Sequence, residues 1–301
     1  MPLPPALAKR PAADPIKLPA PLAGAPLGQY FGEFLRRAVP SHGAYASART
    51  VCADVTFALR AELYPKSAEG VEYSDHLVAG AVGKHTAVAP ITDVDMLYLL
   101  PAKLAAQKSQ DALKIAWAIL KNKFDGVTMA ESSVLVPRGA QWVKVMPCRE
   151  HAGAYLIPAP GGWSITNPIA EAATLRLSDS LYGGRPRLLM TALKAWRLHT
   201  EVPISSFALE LLAQEFFASA PRPYDLERAL VDFWAWSRIR TPCALKPPGG
   251  QTAIDVGPEW HGKAKAAYWR ATLADHHVQK GKIADAAAEW REALGPLFAL
   301  P

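Results

Sequence analysis

The hydrophobic pattern of this chain changes period partway along, and that change limits the folds open to it. Up to residue 168, short apolar runs alternate with helical stretches. From Ala170 onward only helical spacing remains, in segments 186–200, 205–219, 224–239, 262–280 and 282–298. Prolines 203, 221, 223, 242, 247 and 248 punctuate this half, as helix breakers do. The expected architecture is mixed α/β (α+β): a half with a small mixed sheet, then a helical half. The cleft between two such lobes is the default place for a ligand.

The first half has its own punctuation. Residues 1–26 carry Pro2, Pro4, Pro5, Pro11, Pro15, Pro19, Pro21 and Pro26 among alanines. Proline fixes φ and removes a backbone donor, so this segment reads as an extended Pro/Ala-rich arm. Prolines interrupt every candidate apolar core in it, which argues against a signal peptide. An amphipathic helix follows over 28–39, with Phe31, Phe34 and Leu35 on one side. A longer one runs over 44–63, with Val51, Val55, Leu59 and Leu63 four apart. A strand is expected over 94–100, a helix over 113–124 and a further strand over 154–157. Strands 134–136 and 142–146 should form a hairpin across Pro137-Arg138-Gly139-Ala140. The chain thus divides into an arm (1–26), an α/β core (27–168) and a helical lobe (169–301).

Composition narrows the class. Half of the 301 residues are hydrophobic and a fifth charged, as in ordinary soluble globular proteins. No stretch approaches the roughly 18 unbroken apolar residues of a membrane span, so no membrane association is expected. The net charge of +6 suits an anionic ligand. Cys52, Cys148 and Cys243 lie far apart and make no C-x-x-C pair, which fits reduced thiols in a cytoplasmic protein. The eight histidines show no H-E-x-x-H spacing, which argues against a zinc site.

The chemistry concentrates between Gly80 and Met96. A glycine-containing turn carries Lys84 and Thr86, and such a turn offers backbone N–H groups and a cation to phosphate oxygens. Seven residues after Thr86 come Asp93 and Asp95, two apart in an apolar strand. Alternation puts both carboxylates on one face. Like charges that close repel, and Mg²⁺ (or Mn²⁺) bridging to substrate phosphates would relieve this. The plain alternative is a strand end with two solvated acids and a surface lysine.

The segment resembles the G-S-x-x-x-x-T…D-x-D signature of the DNA polymerase β-like nucleotidyltransferase superfamily. TALKAWRLHTEVPISSFALELLA (191–213) is similar to the lysine- and tryptophan-bearing helix, short connector and S-S/Y-x-L-E helix of the oligoadenylate synthetase and cGAS/DncV-like branch. YLIPAPGGWSITNP (155–168) and AAAEWREALGPLF (286–298) resemble two further stretches of the bacterial enzymes, the CD-NTases. The resemblance spans about residues 28–298. It implies a polymerase β-like core with a C-terminal helical lobe, and synthesis of a cyclic di- or oligonucleotide from nucleoside triphosphates by two-metal catalysis. It also implies a role in bacterial anti-phage defence, where the product switches on a downstream effector. On this reading Asp93 and Asp95 hold metal. Gly80, Ala81, Lys84 and Thr86 line the triphosphate, and Lys194 closes on it from the helical lobe; a plain surface lysine is the alternative for Lys194.

Two positions depart from the family pattern. Its motif serine is Ala81 here, and losing one hydrogen bond to a charged acceptor costs about 1.5–3 kcal/mol. Its third carboxylate belongs in a strand reading v-D/E-v-l-P, where VKVMP places Lys144. A lysine there can pair with Asp93 and Asp95 in place of a cation. These departures support a second expectation: a catalytically degenerate member that binds a nucleotide or a regulatory protein partner. A third is nucleotide transfer to an RNA end or an antibiotic. Trp163, Trp234, Trp236 and Trp290 are expected to be packing residues, and His276-His277 a solvated helix face.

Overall fold

The computed structural model describes residues 16, 18, 25–64, 75–104, 106–219, 225–240, 242–250 and 252–299. Most of the expected arm lies outside them. The elements run α1 (Gly28–Ala38), α2 (His42–Leu63), β1 (His76–Val78), α3 (Gly80–Lys84), β2 (Asp93–Leu99), α4 (Ser109–Lys121), β3 (Thr128–Met129), β4 (Val134–Arg138), β5 (Gln141–His151), β6 (Ala154–Ala159) and β7 (Gly162–Thr166). Then come α5 (Pro168–Tyr182), α6 (Arg185–Thr200), α7 (Ser206–Ser219), α8 (Leu226–Ser237), β8 (Cys243–Leu245), β9 (Ile254–Val256), α9 (His261–Gln279) and α10 (Ile283–Leu294).

A seven-stranded mixed sheet runs β1-β2-β5-β4-β3, with β6 joined to β5 and β7 to β6. β2 and β5 are parallel and the other pairs antiparallel. The expected hairpin is β4–β5, with Arg138 opposite Gln141; Gly139 takes a positive φ of 63° at its tip, where glycine meets no Cβ penalty. Alternation decides what each face does. Val94, Val134, Val136, Val143 and Val145 are buried in one core with residues of α2 and α4. Their neighbours Asp93, Asp95, Leu135, Pro137, Trp142 and Lys144 therefore share the opposite face, and none of them is fully buried.

The helical lobe has a separate core. Trp196, Trp234 and Trp290 are all buried there, with ring centroids 5.7 and 5.8 Å apart along the series. Trp236 packs partly buried against the same core, and Trp163 donates its indole N–H to the Gln107 carbonyl at 3.2 Å. His276 is exposed and His277 partly so.

Two features differ from the sequence expectation. First, α1 packs with the helical lobe although it precedes the sheet. Phe31 meets Trp290 edge-on at 4.9 Å and Phe298 at 5.1 Å. Ile16, within the expected arm, also packs partly buried against that core. Second, the second half is not all helical, because β8 and β9 form a short hairpin. Strands of three residues are too short to show a period of two. Among the described residues no helix is long and apolar enough to cross a membrane. Cys52 and Cys148 are buried and Cys243 is partly so, and all three are free thiols.

Candidate active site

β2 presents Asp93 and Asp95 on the open sheet face, in register with Trp142 and Lys144 of the parallel β5. The Lys144 ammonium donates to Asp93 Oδ2. Both side chains keep about two-fifths of their surface exposed, 39% for Lys144 and 43% for Asp93, so the pair faces solvent. Burial alone would lower the lysine's pKa. The hydrogen bond it donates to Asp93 and the charges of Asp93 and Asp95 outweigh it, and the net direction is upward. Lys144 therefore carries its proton at neutral pH. Asp95 lies deeper. Its pKa is raised, first by burial and then by the Asp93 charge, against the opposing pull of Lys144, Lys84 and Lys194.

Gly80 explains how Asp95 fits. It opens α3 with φ +57°, and a Cβ there would lie 2.0 Å from Asp95 Oδ2. The backbone of the turn is thus seated directly on the carboxylate, and only glycine leaves room. Ala79 N–H donates to the Asp95 carbonyl at 2.8 Å, which fixes the turn to the strand. Gly80→Ala should therefore lower stability by on the order of 1–3 kcal/mol in a thermal melt. Adding Asp95→Ala should recover the part owed to the clashing oxygens and leave the cost of the positive φ. Equal melts for Gly80→Ala and the parent would show that the turn sits elsewhere.

Ala81 follows Gly80 on α3. Lys84, Thr86 and Lys194 lie in a buried polar cluster where the lobes meet. Lys84 Nζ bonds Glu210 Oε2 at 2.6 Å and Glu171 Oε2 at 3.0 Å, over the Phe207 ring at 4.4 Å. Lys194 Nζ donates to the Thr86 carbonyl and to Thr86 Oγ1, both at 2.9 Å, and to Glu210 Oε1. An ammonium has three protons, so those of Lys194 are all engaged. Thr86 Oγ1 also donates to Glu210 Oε1 at 2.5 Å. Burial would raise the Glu210 pKa, but Lys194 and Lys84 bring it down to about 2. Two cations and two anions balance here. Glu171 and Glu210 complete this cluster; the sequence reading assigns neither a role, although Glu210 is the glutamate of the L-E pair in the motif helix.

The fit of a divalent ion follows from the donors. Asp93 and Asp95 lie two apart on one face beneath the Gly80 turn, and Mg²⁺ commonly takes one or two carboxylates plus phosphate oxygens and waters. These residues suit one ion, which would displace Lys144 from Asp93. A second ion would need a further carboxylate, and position 144 supplies an ammonium. Among the described residues no group of three or more His, Cys, Asp or Glu is arranged to hold a metal.

Comparison with known proteins bears on family and fold. The family model described as the Second Messenger Oligonucleotide or Dinucleotide Synthetase domain matches residues 26–178, just over half of the chain. Among curated protein sequences none matches. The fold is similar to that of E. coli CdnC with ATP, at a TM-score of 0.72 and 15% identity, covering 90% of this chain and 98% of that one. It is similar to Bradyrhizobium diazoefficiens CD-NTase CdnG in complex with GTP, at 0.71 and 12%, covering 91% and 96%. It is also similar to Vibrio cholerae DncV cyclic AMP-GMP synthase, at 0.70 and 12%, covering 91% and 97%. A second CdnC structure is a complex with HORMA, at 0.71 and 15%, covering 90% and 98%.

Proposed function

Because the chain belongs to the Second Messenger Oligonucleotide or Dinucleotide Synthetase family, with its mixed α/β nucleotidyltransferase fold, we propose that it joins nucleoside triphosphates into a cyclic di- or oligonucleotide. In that role the product would act on a downstream effector in anti-phage defence. The similar CdnC in complex with HORMA makes a regulatory protein partner part of the proposal. The observation that carries the reading is the Asp93/Asp95 pair, displayed on an open sheet face with Gly80 seated against Asp95.

In the proposed reaction a ribose hydroxyl oxygen forms a bond to the α-phosphorus of a nucleoside triphosphate. The α–β phosphoanhydride bond breaks and pyrophosphate leaves in line. A Mg²⁺ or Mn²⁺ ion bound at Asp93 and Asp95 would supply charge neutralisation on the phosphates. The chain's own groups hold the geometry. Gly80 and Ala81 let the backbone of the turn approach closely, and Asp95 is held by that turn. Lys84, Thr86 and Lys194 stand behind it, where a triphosphate oxygen would have to take the place of a Glu210 oxygen. The hydroxyl proton passes to solvent, because the protonated Lys144 cannot accept it.

Lys144 on Asp93 favours a second reading, a nucleotide-binding regulator with little turnover. Both readings require the aspartates. Replacing Asp93 and Asp95 together with Asn should abolish Mg²⁺-dependent nucleotide binding in calorimetry while the fold persists. Removing the partly buried Asp95 charge should even favour folding at neutral pH, since a carboxyl with a raised pKa stabilises the fold only while it is protonated. Unchanged Mg²⁺-dependent binding in the double variant would overturn the assignment.

A further inference from the structure

One large aromatic stands out on the open sheet face. Trp142 is 42% exposed, whereas Trp196, Trp234, Trp260 and Trp290 are fully buried. It is held where it is by its strand: its backbone N–H donates to the Thr92 carbonyl at 2.9 Å, and the neighbouring Gln141 side-chain amide donates to the Ile91 carbonyl at 3.1 Å. Its register partners are Asp93 on β2 and Pro137 on β4. Cross-strand neighbours lie about 5 Å apart, so the indole stands beside the carboxylate proposed to meet phosphate. Lys144, two residues on, and the half-buried Leu135 and Pro137 complete the surface.

The sheet order gives this platform a side. α3 and the Gly80 turn adjoin β2 from the β1 edge, and the Lys84–Glu210–Lys194 cluster lies behind that turn. Trp142 lies on β5, across Asp93 from the turn. A nucleotide whose triphosphate lies toward α3 leaves the β5 side to a second nucleotide, the one that presents its ribose hydroxyl. A base needs a flat apolar partner. An exposed indole beside a protonated lysine supplies both a stacking face and a charge for that nucleotide's own phosphates.

We propose, building on the nucleotide-binding reading above, that Trp142 is the stacking platform for the base of the hydroxyl-donating nucleotide. It is a binding residue for that second position. Leu135 and Pro137 form its apolar border and Lys144 its charged one. Stacking is tolerant of base identity, so the platform favours purines through their larger rings and does not read hydrogen-bonding edges.

The test is calorimetry with the full chain, Mg²⁺ and a non-hydrolysable purine nucleoside triphosphate. The parent should take up two equivalents. Trp142→Ala should keep the first and weaken the second by about tenfold or more, the scale of one lost base–aromatic stack. Trp142→Phe should restore most of the second. Inorganic tripolyphosphate, which has no base, should bind the parent and Trp142→Ala alike. Because the side chain is exposed, melting temperatures of the three forms should agree. Two unchanged binding steps in Trp142→Ala would overturn the platform while leaving the nucleotide reading intact, as would equal weakening of tripolyphosphate. A single equivalent bound by the parent would overturn the two-nucleotide arrangement. No nucleotide bound by the parent would overturn both readings.

Discussion

Lys144→Asp should raise nucleotide-product formation on the order of 10²-fold, the scale on which one electrostatic group acts at a reacting centre. Three observations lead to this. Lys144 bonds Asp93, its pKa is raised by that contact, and it stands in register with Asp95. An ammonium about 4 Å from a carboxylate is attracted by about 4 kcal/mol at intermediate dielectric. The 39–43% exposure of the pair screens much of that, so the lysine competes with a divalent ion without shutting it out. The same lysine cannot take a proton from the attacking hydroxyl. A carboxylate at position 144 reverses both effects. The measurement is product formation from the four nucleoside triphosphates, with Mg²⁺ and separately with Mn²⁺, for both forms. Affinity for the nucleotide that gives up pyrophosphate should change far less than turnover, because its phosphate contacts lie toward the Gly80 turn. Robust turnover by the parent, lost in Lys144→Asp, would sink this idea and place the remaining acidic ligand elsewhere in the chain.

The face that carries this prediction can be read from the sequence because strands obey a period of two. Asp93 and Asp95 had to point the same way, and so did Trp142, Lys144 and Met146; the P-R-G-A turn then had to lay β5 against β4. That β5 also runs parallel to β2 is a tertiary fact that no local pattern fixes. The cluster at the lobe boundary was less legible. Lys84, Thr86 and Lys194 stand out as polar residues in motif positions, but the motif does not specify their partners. Glu210 carried a signal: it sits between Leu209 and Leu211 in ALELLA, where an acid on a buried helix must find a cation. Glu171, in the first turn of α5, reads equally well as a favourable acid at a helix N-terminus, so nothing local marks it as a lysine partner. The side on which α1 packs was not legible at all. Its Phe31, Phe34 and Leu35 stripe demands a core without saying which of two cores it will be.

Glu210 should prove the most costly single side chain to remove from the lobe boundary. Its two oxygens hold Lys84, Lys194 and Thr86 at once. Glu210→Ala leaves two buried ammonium groups, of which Lys84 keeps Glu171 and Lys194 loses its bonded carboxylate. Breaking a buried pair by deleting one partner costs about 3–5 kcal/mol. At the ~2–4 °C per kcal/mol found for domains approaching this size, the melting temperature should fall by roughly 6–20 °C. Removing both charges of one pair, as Glu210→Gln with Lys194→Met, should recover a large part, since Lys84 keeps Glu171 and no cation is orphaned. The pH dependence has a definite sign. The folded pKa of Glu210 is depressed from 4.5 to about 2, so its stabilisation is fully present above about pH 4.5. It is lost as pH falls from there toward 2. Acid unfolding of the parent should therefore steepen across that window, and Glu210→Gln should flatten it. A parent-like melt and parent-like acid profile in Glu210→Ala would mean that the cluster is solvated and the lobes are held by their apolar contacts alone. The cluster also bears on nucleotide binding. A triphosphate reaching Lys84 or Lys194 must displace a Glu210 oxygen, so Glu210→Gln, where it folds, should bind inorganic tripolyphosphate more tightly than the parent does. Stability lost and anion affinity gained in one variant would identify Glu210 as the internal counter-anion of the site.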